Sequence, residues 1–165
     1  MLYHFDSSAA VKRYAPEKGS GWVKNLVEPS SGNTIYLGQI GVVEIAAALS
    51  KKVRVEELTQ EAYGAALQLF LTDVKNDEYL IASVSDQVIE RAIELTKRHP
   101  LRGYDAVHLA TAIAINTALL AAKLTSLVFV STDTILCNAA EAEEFSVQNP
   151  DELVIETTQQ IASPH

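Results

Sequence analysis

The sequence predicts an α/β protein: a single domain built on a five-stranded, mostly parallel sheet flanked by helices. Two observations carry this. Short apolar runs rich in β-branched and aromatic residues alternate with helical runs from Leu2 to Asn149, and strands separated by helices close into parallel sheets through right-handed crossovers. The chain has 165 residues, of which 48% are hydrophobic, enough for one domain with a real core and too apolar for disorder.

The elements follow in order. Leu2–Phe5 reads as the first strand and Ser7–Tyr14 as the helix after it. Ser20–Val27 is a second helix, stopped by Pro29 and the turn Ser30-Ser31-Gly32, since a proline ends a helix and Ser-Gly clusters mark turns. Thr34–Leu37 is the second strand and Ile40–Val53 the next helix. Thr59–Lys75 is a long amphipathic helix opened by Thr59 as its cap. Tyr79–Val84 is the third strand, and Asp86–Arg98 a helix that ends before Pro100. Tyr104–Leu120 is strongly apolar and reads as a central helix. Leu127–Ser131, Thr134–Glu143 and Phe145–Asn149 complete the pattern as strand, helix and strand. The domain is thus residues 1–150, with 151–165 a tail whose structure the pattern leaves open.

Several classes are excluded or disfavoured. No apolar run reads as long and charge-free enough to cross a bilayer. The start, MLYHFDSSAA, lacks the basic region and apolar stretch of a signal peptide, so a cytoplasmic protein is expected. The single cysteine, Cys137, rules out an internal disulfide and a cysteine-rich zinc site, and reads as a small core residue. The net charge of −8 speaks against broad, tight nucleic-acid binding through phosphates. It does not exclude a nuclease, because acids around a bound cation are compensated by it.

In parallel α/β sheets, ligands bind beyond the carboxyl ends of the strands. Asp6 directly follows the first strand in HFDSSAA, and Asp133 directly follows the fourth in VFVSTDTIL. Each alone also reads as a helix N-cap, and one carboxylate can do both. Asp105 opens the apolar helix in LRGYDAVHLATAIAI, where a helix-start acid is favoured by the dipole, but a buried helix start opens toward a cleft. Glu44, in QIGVVEIAAAL, is the most informative. Its helical neighbours Ile40, Ala47 and Ala48 offer no partner, and an acid on an apolar stripe is costly without one. The partner is a metal ion, a distant Arg or Lys, or solvent at a cleft. Four clustered carboxylates repel unless cations join them. Mg2+ or Mn2+ prefers such oxygen ligands, and a pair of these ions can drive in-line phosphoryl displacement by water.

The segments FDSSAAVKRY, VVEIAAAL, LRGYDAVHLATA, FVSTDTILCNAA and FSVQNP, in that order from Leu2 to Pro150, resemble the PIN-domain ribonucleases, and among them the VapC-type toxins of toxin–antitoxin pairs. The resemblance implies a PIN-like sheet and an Mg2+- or Mn2+-dependent endoribonuclease acting on RNA. It places Asp6, Glu44, Asp105 and Asp133 on the family's acidic positions, and Ser7 where a small hydroxyl residue is common. It also implies a homodimer and a small antitoxin protein as inhibitor. Thr132 stands beside Asp133 and could orient it, or act as a capping hydroxyl. Lys12, Arg13 and Arg102 are candidate RNA contacts, Lys12 reading better as a surface or ion-paired residue. His108, one turn beyond Asp105, reads as a hydrogen-bonded core histidine outside the site.

Two rival readings remain. A strand-terminal aspartate could be a phosphorylated nucleophile, but haloacid-dehalogenase-type phosphatases carry a second Asp two positions later, where this chain has Ser8. Receiver domains need a lysine after a late strand, and none follows Leu127. The other rival is a catalytically silent PIN-like module that binds RNA or protein.

Overall fold

The computed structural model describes residues 1–153. Its strands are β1 (Leu2–Phe5), β2 (Thr34–Gly38), β3 (Leu80–Ala82), β4 (Val128–Val130) and β5 (Ser146–Gln148). They form one sheet in the order β3-β2-β1-β4-β5, every pair parallel. The helices are α1 (Ser7–Ala10), α2 (Ser20–Val27), α3 (Gln39–Arg54), α4 (Gln60–Lys75), α5 (Asp86–Arg98), α6 (Gly103–Ala121) and α7 (Thr134–Ala142).

The alternation of side chains along each strand divides the core in two. Tyr3, Phe5, Ile35, Leu37, Val128 and Val130 face one side with Ile45, Leu49, Phe70 and Tyr79. Phe129 faces the other, with Leu95, Leu109, Leu136 and Phe145. His4, between Tyr3 and Phe5, therefore points to the side that carries Phe129, and its ring stacks on that phenylalanine at 5.4 Å between centroids.

Three readings need correction. The helix expected over Ser7–Tyr14 splits into α1 and a 3-10 turn over Val11–Arg13. Pro16 disfavours a helical residue just before it, and the tighter turn lets Tyr14 and Ala15 both close on the Val11 carbonyl. The strand expected over Tyr79–Val84 pairs only from Leu80 to Ala82. It lies at the sheet edge, and Tyr79 is spent in the core, with its hydroxyl bonded to that of Tyr14 at 2.9 Å. Finally, α6 does have the length and composition of a bilayer span. Residues Ala106 and His108–Ala112 of this helix are buried against the sheet and α5, which accounts for its apolarity.

Thr59 caps α4 as expected, accepting from the Ala62 N–H at 3.1 Å. Lys12 is buried and paired with Glu17 at 3.1 Å and Asp151 at 2.8 Å, the ion-paired reading. That contact ties the start of the tail to the domain, and residues 154–165 of the tail lie outside the described residues. Gly19 makes the same junction possible. Its φ is +80°, and a Cβ there would stand 2.5 Å from the Pro150 carbonyl oxygen.

Candidate active site

Asp6 leaves the carboxyl end of β1 and caps α1. One carboxylate oxygen accepts from the Ala9 N–H at 2.9 Å and from the Ser8 hydroxyl at 2.7 Å. The other accepts from the Ser131 hydroxyl at 2.7 Å. The Asp6 residue is only 4% exposed. Burial pushes its pKa above the ordinary carboxylate value, opposed by the charge of His108 and by the bonds from Ser131, Ala9 and Ser8.

The neighbouring strand end completes this frame. Ser131, at the end of β4, has a hydroxyl that also accepts from the Asp133 N–H at 3.0 Å, while the Ser8 hydroxyl accepts from the Thr132 N–H at 3.0 Å. Two hydroxyls thus lock the ends of the adjacent strands β1 and β4 together and hold Asp6 between them. Asp133 caps α7 through the Leu136 N–H at 2.9 Å and is itself exposed. The capping reading of Asp6 and Asp133 is therefore met.

Asp105 stands in the first turn of α6, half-buried. Its pKa is raised by burial and then by the charges of Asp133 and Asp6, so these three carboxylates are close enough to feel each other. Glu44 lies in the middle of α3, and its partner is one the sequence reading did not offer: the imidazole of His108, whose Nε2 is hydrogen-bonded to a Glu44 carboxylate oxygen. His108 is the buried, hydrogen-bonded histidine expected, and its bond joins it to one of the four candidate acids. Burial works against a charged imidazole there, but the bond to Glu44 and the charges of Asp6, Glu44 and Asp105 outweigh burial and hold its pKa above the ordinary value.

Asp105 feels the charges of Asp133, Asp6 and His108, and His108 feels those of Asp6, Glu44 and Asp105, so the imidazole stands near three of the four acids. Among the described residues, no three carboxylate, imidazole or thiol groups stand at the spacing of a finished ligand set, and no lysine or arginine pairs with any of the four. The donors are carboxylate oxygens whose negative charge is met only in part, by His108, and oxygen donors of this kind suit a hard divalent cation.

The remaining candidates sort as follows. Arg13 does not face the cleft. Its Nε bonds Asp73 of α4 at 2.8 Å, and the Tyr14 hydroxyl bonds the same Asp73 oxygen at 2.7 Å, so this arginine is structural. Ser7 makes no bond to Asp6. The hydroxyl that does is Ser8, one residue on, because a side chain two positions beyond the cap turns back toward it. Thr132 contributes its backbone N–H. Arg102, the residue before α6, is exposed and carries no ion pair among the described residues. Cys137 is buried with its thiol on the Ser131 carbonyl at 3.4 Å, a core residue.

The PIN domain family model matches residues 3–142, and the chain belongs to the PIN-domain family. Its relatives include the ribonucleases VapC45 and VapC49 of two Mycobacterium tuberculosis strains, CDC 1551 / Oshkosh and H37Rv. Each is 31% identical over 120 residues, covering 69% of this chain and 76% of the relative. Among solved structures, the fold is similar to PAE2754 from Pyrobaculum aerophilum, with a TM-score of 0.59, 15% identity, and 93% and 92% of the two chains covered. It is also similar to a chain of VapBC2 from Rickettsia felis bound to a promoter DNA fragment, with a TM-score of 0.56, 18% identity, and coverage of 90% and 98%. A toxin–antitoxin complex from Klebsiella pneumoniae gives 0.53, 17%, 90% and 97%.

Proposed function

We propose that this chain is a metal-dependent endoribonuclease and the toxin of a toxin–antitoxin pair, with Asp6, Glu44, Asp105 and Asp133 holding Mg2+ or Mn2+. The observation that carries the reading is Asp6: a carboxylate 4% exposed, fixed by three donors, raised in pKa by burial, and lacking any Lys or Arg counter-charge among the described residues. A purely structural cap has no need of a buried acid that raises the pKa of a neighbouring acid, Asp105, whereas a cation site does. Bound divalent cation would supply an activated water and stabilise charge on the phosphate oxygens. The protein's part is to hold the acids: Ser8 and Ser131 orient Asp6, and the α7 and α6 starts fix Asp133 and Asp105.

Water attack on phosphorus requires no nucleophilic side chain and leaves 5′-phosphate and 3′-hydroxyl ends. The test is incubation of the purified protein with mixed single-stranded RNA in Mg2+, in Mn2+ and in chelator. Cleavage with metal, none with chelator, and those end groups are expected. Cyclic phosphate ends would overturn the mechanism. RNA bound but left intact with both metals would make the chain a silent binding module.

The toxin part is supported by the VapC names of the relatives and by the two complexes among the structural neighbours. An acidic cleft suits a partner's arginine, whose planar guanidinium pairs with carboxylates in two contacts. The net charge of −8 favours a basic inhibitory segment, and apolar side chains exposed on α4, Leu69 and Leu71, offer it a docking face. A homodimer is part of the same reading, supported by the exposed Val43 of α3 and Ile89 and Ile93 of α5. Co-expression with the adjacent small gene, co-purification, and sedimentation of the free chain test these points. Absence of a partner together with harmless expression would remove the toxin reading and leave the nuclease.

A further inference from the structure

Glu44 is paired with His108, a residue to which the reaction above gives no role. The Glu44 side chain is 26% exposed and the His108 side chain 2%, so a rim carboxylate is tied to a buried ring. A carboxylate oxygen can only accept, so the hydrogen between them sits on His108 Nε2. The other ring nitrogen, Nδ1, is buried without a hydrogen-bond partner.

That orphan nitrogen argues against a filler role. If the position served only to pack α6 against α3, an apolar side chain of similar volume would do so without the cost of a buried, unpaired nitrogen. The imidazole is retained at that cost, and the nitrogen it does use faces Glu44. The ring is also held in place. A Cβ on Gly41 would meet His108 Cε1 at 3.2 Å, and one on Gly38 would meet Nδ1 at 3.7 Å. Gly41, in the first turn of α3, thus leaves room for the ring, while the Gly38 distance is ordinary van der Waals contact. On its far side stands His4, edge to face at 6.3 Å between centroids. His4 is itself fully buried, and neither of its ring nitrogens has a hydrogen-bond partner among the described residues.

We propose that His108 is a positioning residue: its Nε2–H fixes the Glu44 carboxylate, and so sets where Glu44 meets a divalent cation held with Asp6, Asp105 and Asp133. The inference rests on the metal-nuclease reading above and deepens it. A free glutamate in mid-helix samples several rotamers, and ordering it at the moment of cation binding costs entropy. The imidazole settles that geometry in advance, as partners of metal ligands do elsewhere.

The test uses the full chain with Mn2+ alone as the probe, its dissociation constant read by calorimetry, with three variants. His108→Leu fills the hollow but cannot donate. His108→Gln can place its amide Nε2–H near the position of the imidazole Nε2–H. Glu44→Gln removes the charge that is being positioned. His108→Leu is expected to weaken Mn2+ binding about 10- to 100-fold, the usual effect of losing such a partner. His108→Gln should recover most of that loss, and His108→Leu should cost nothing further in a Glu44→Gln background. A second readout needs no metal. The imidazole nitrogen–proton correlation spectrum of the wild type should show a hydrogen-bonded Nε2 proton at His108 that shifts or vanishes in Glu44→Gln. A folded His108→Leu with wild-type Mn2+ affinity overturns the proposal. So does a His108 signal unmoved by Glu44→Gln, which decides the matter even if His108→Leu does not fold. Wild-type protein that neither binds Mn2+ nor cuts RNA overturns the nuclease reading itself. Mn2+ binding and cleavage by wild type with indifferent His108 variants overturn only the role of His108.

Discussion

Asp6→Asn separates a cation ligand from a helix cap. Asparagine caps a helix about as well as aspartate, so the α1 start survives. The amide offers one acceptor oxygen where the carboxylate offered two, and three donors now converge there: the Ala9 N–H, the Ser8 hydroxyl and the Ser131 hydroxyl. One hydroxyl must turn away, a loss of about 1 kcal/mol for a single net hydrogen bond. Removal of a buried negative charge next to Asp105 acts in the opposite direction. The metal-free variant should therefore melt within roughly 4 °C of wild type, at about 2–4 °C per kcal/mol for a domain of this size. Cation changes the comparison. At a hundredfold excess of Mg2+ over its dissociation constant, one-site linkage adds about 2.7 kcal/mol, which is roughly 5–10 °C. Wild type should show that rise in a thermal melt and Asp6→Asn should show none, with RNA cleavage lost by about three orders of magnitude or more, an effect of the size catalytic metal and charge stabilisation commonly carry. Asp105→Asn should behave alike. A variant that melts normally, keeps its Mg2+-dependent rise and cuts RNA near the wild-type rate would refute the assignment of Asp6.

Other consequences follow from individual contacts. Arg102→Ala should weaken RNA binding several-fold without changing the melting temperature, and should flatten the salt dependence of log K by about 0.7, the share of one single-strand phosphate contact; an unchanged salt slope would place Arg102 away from the substrate path. Gly19→Ala forces a side chain into the left-handed region and against the Pro150 carbonyl, and should cost on the order of 2 kcal/mol, read as a drop in denaturant midpoint; wild-type stability would mean that the junction yields. At high pH, burial first, and then the mutual contact and Asp73, raise the Tyr14 pKa, while burial pushes Tyr79 up to about 12. Both acids stay neutral in the folded protein while the unfolded chain ionises them near pH 10, so the stability they contribute is full below that pH and falls as pH rises through 12. Absorbance at 295 nm should show these tyrosines withheld until the chain unfolds, and smooth titration of all six tyrosines before unfolding would contradict the buried network.

Much of the fold is written in local pattern. The strands lie on short apolar runs, and four helices begin at a capping side chain, at Asp6, Thr59, Ser85 and Asp133. What local pattern does not carry is length at an edge and competition from tertiary partners. Tyr79 looks like a strand residue because it is aromatic, yet its hydroxyl is claimed by Tyr14 across the core. Arg13 looks like a surface cation, yet Asp73, sixty positions away, takes it into a buried network. The apolarity of α6 reads as a central helix from the sequence, and whether its neighbours are protein or lipid is settled only by the burial of its first half.

The site divides along the same line. Carboxylates at strand ends and helix starts are visible because topology fixes where those ends converge, and Asp6, Asp105 and Asp133 are all of this kind. The groups that orient them are not, since a serine beside an aspartate in a turn has the same local form whether it merely caps or also holds a ligand. Ser131 bonds Asp6 from 125 positions away, a pairing no spacing rule contains. His108 left a fainter trace. It follows Asp105 by three residues, so the two share a helix face, and the glycines at 38 and 41 precede the one acid on α3 that lacks a local partner. A glycine in the first turn of a helix, three residues before an unpaired glutamate, makes room for a bulky polar group to reach that glutamate. In this fold the group is the imidazole, and the unfavourable features of the region belong together: a helical glycine at 41, an orphaned ring nitrogen and an acid on an apolar stripe are each costly alone, and they are reconciled by holding one carboxylate in place.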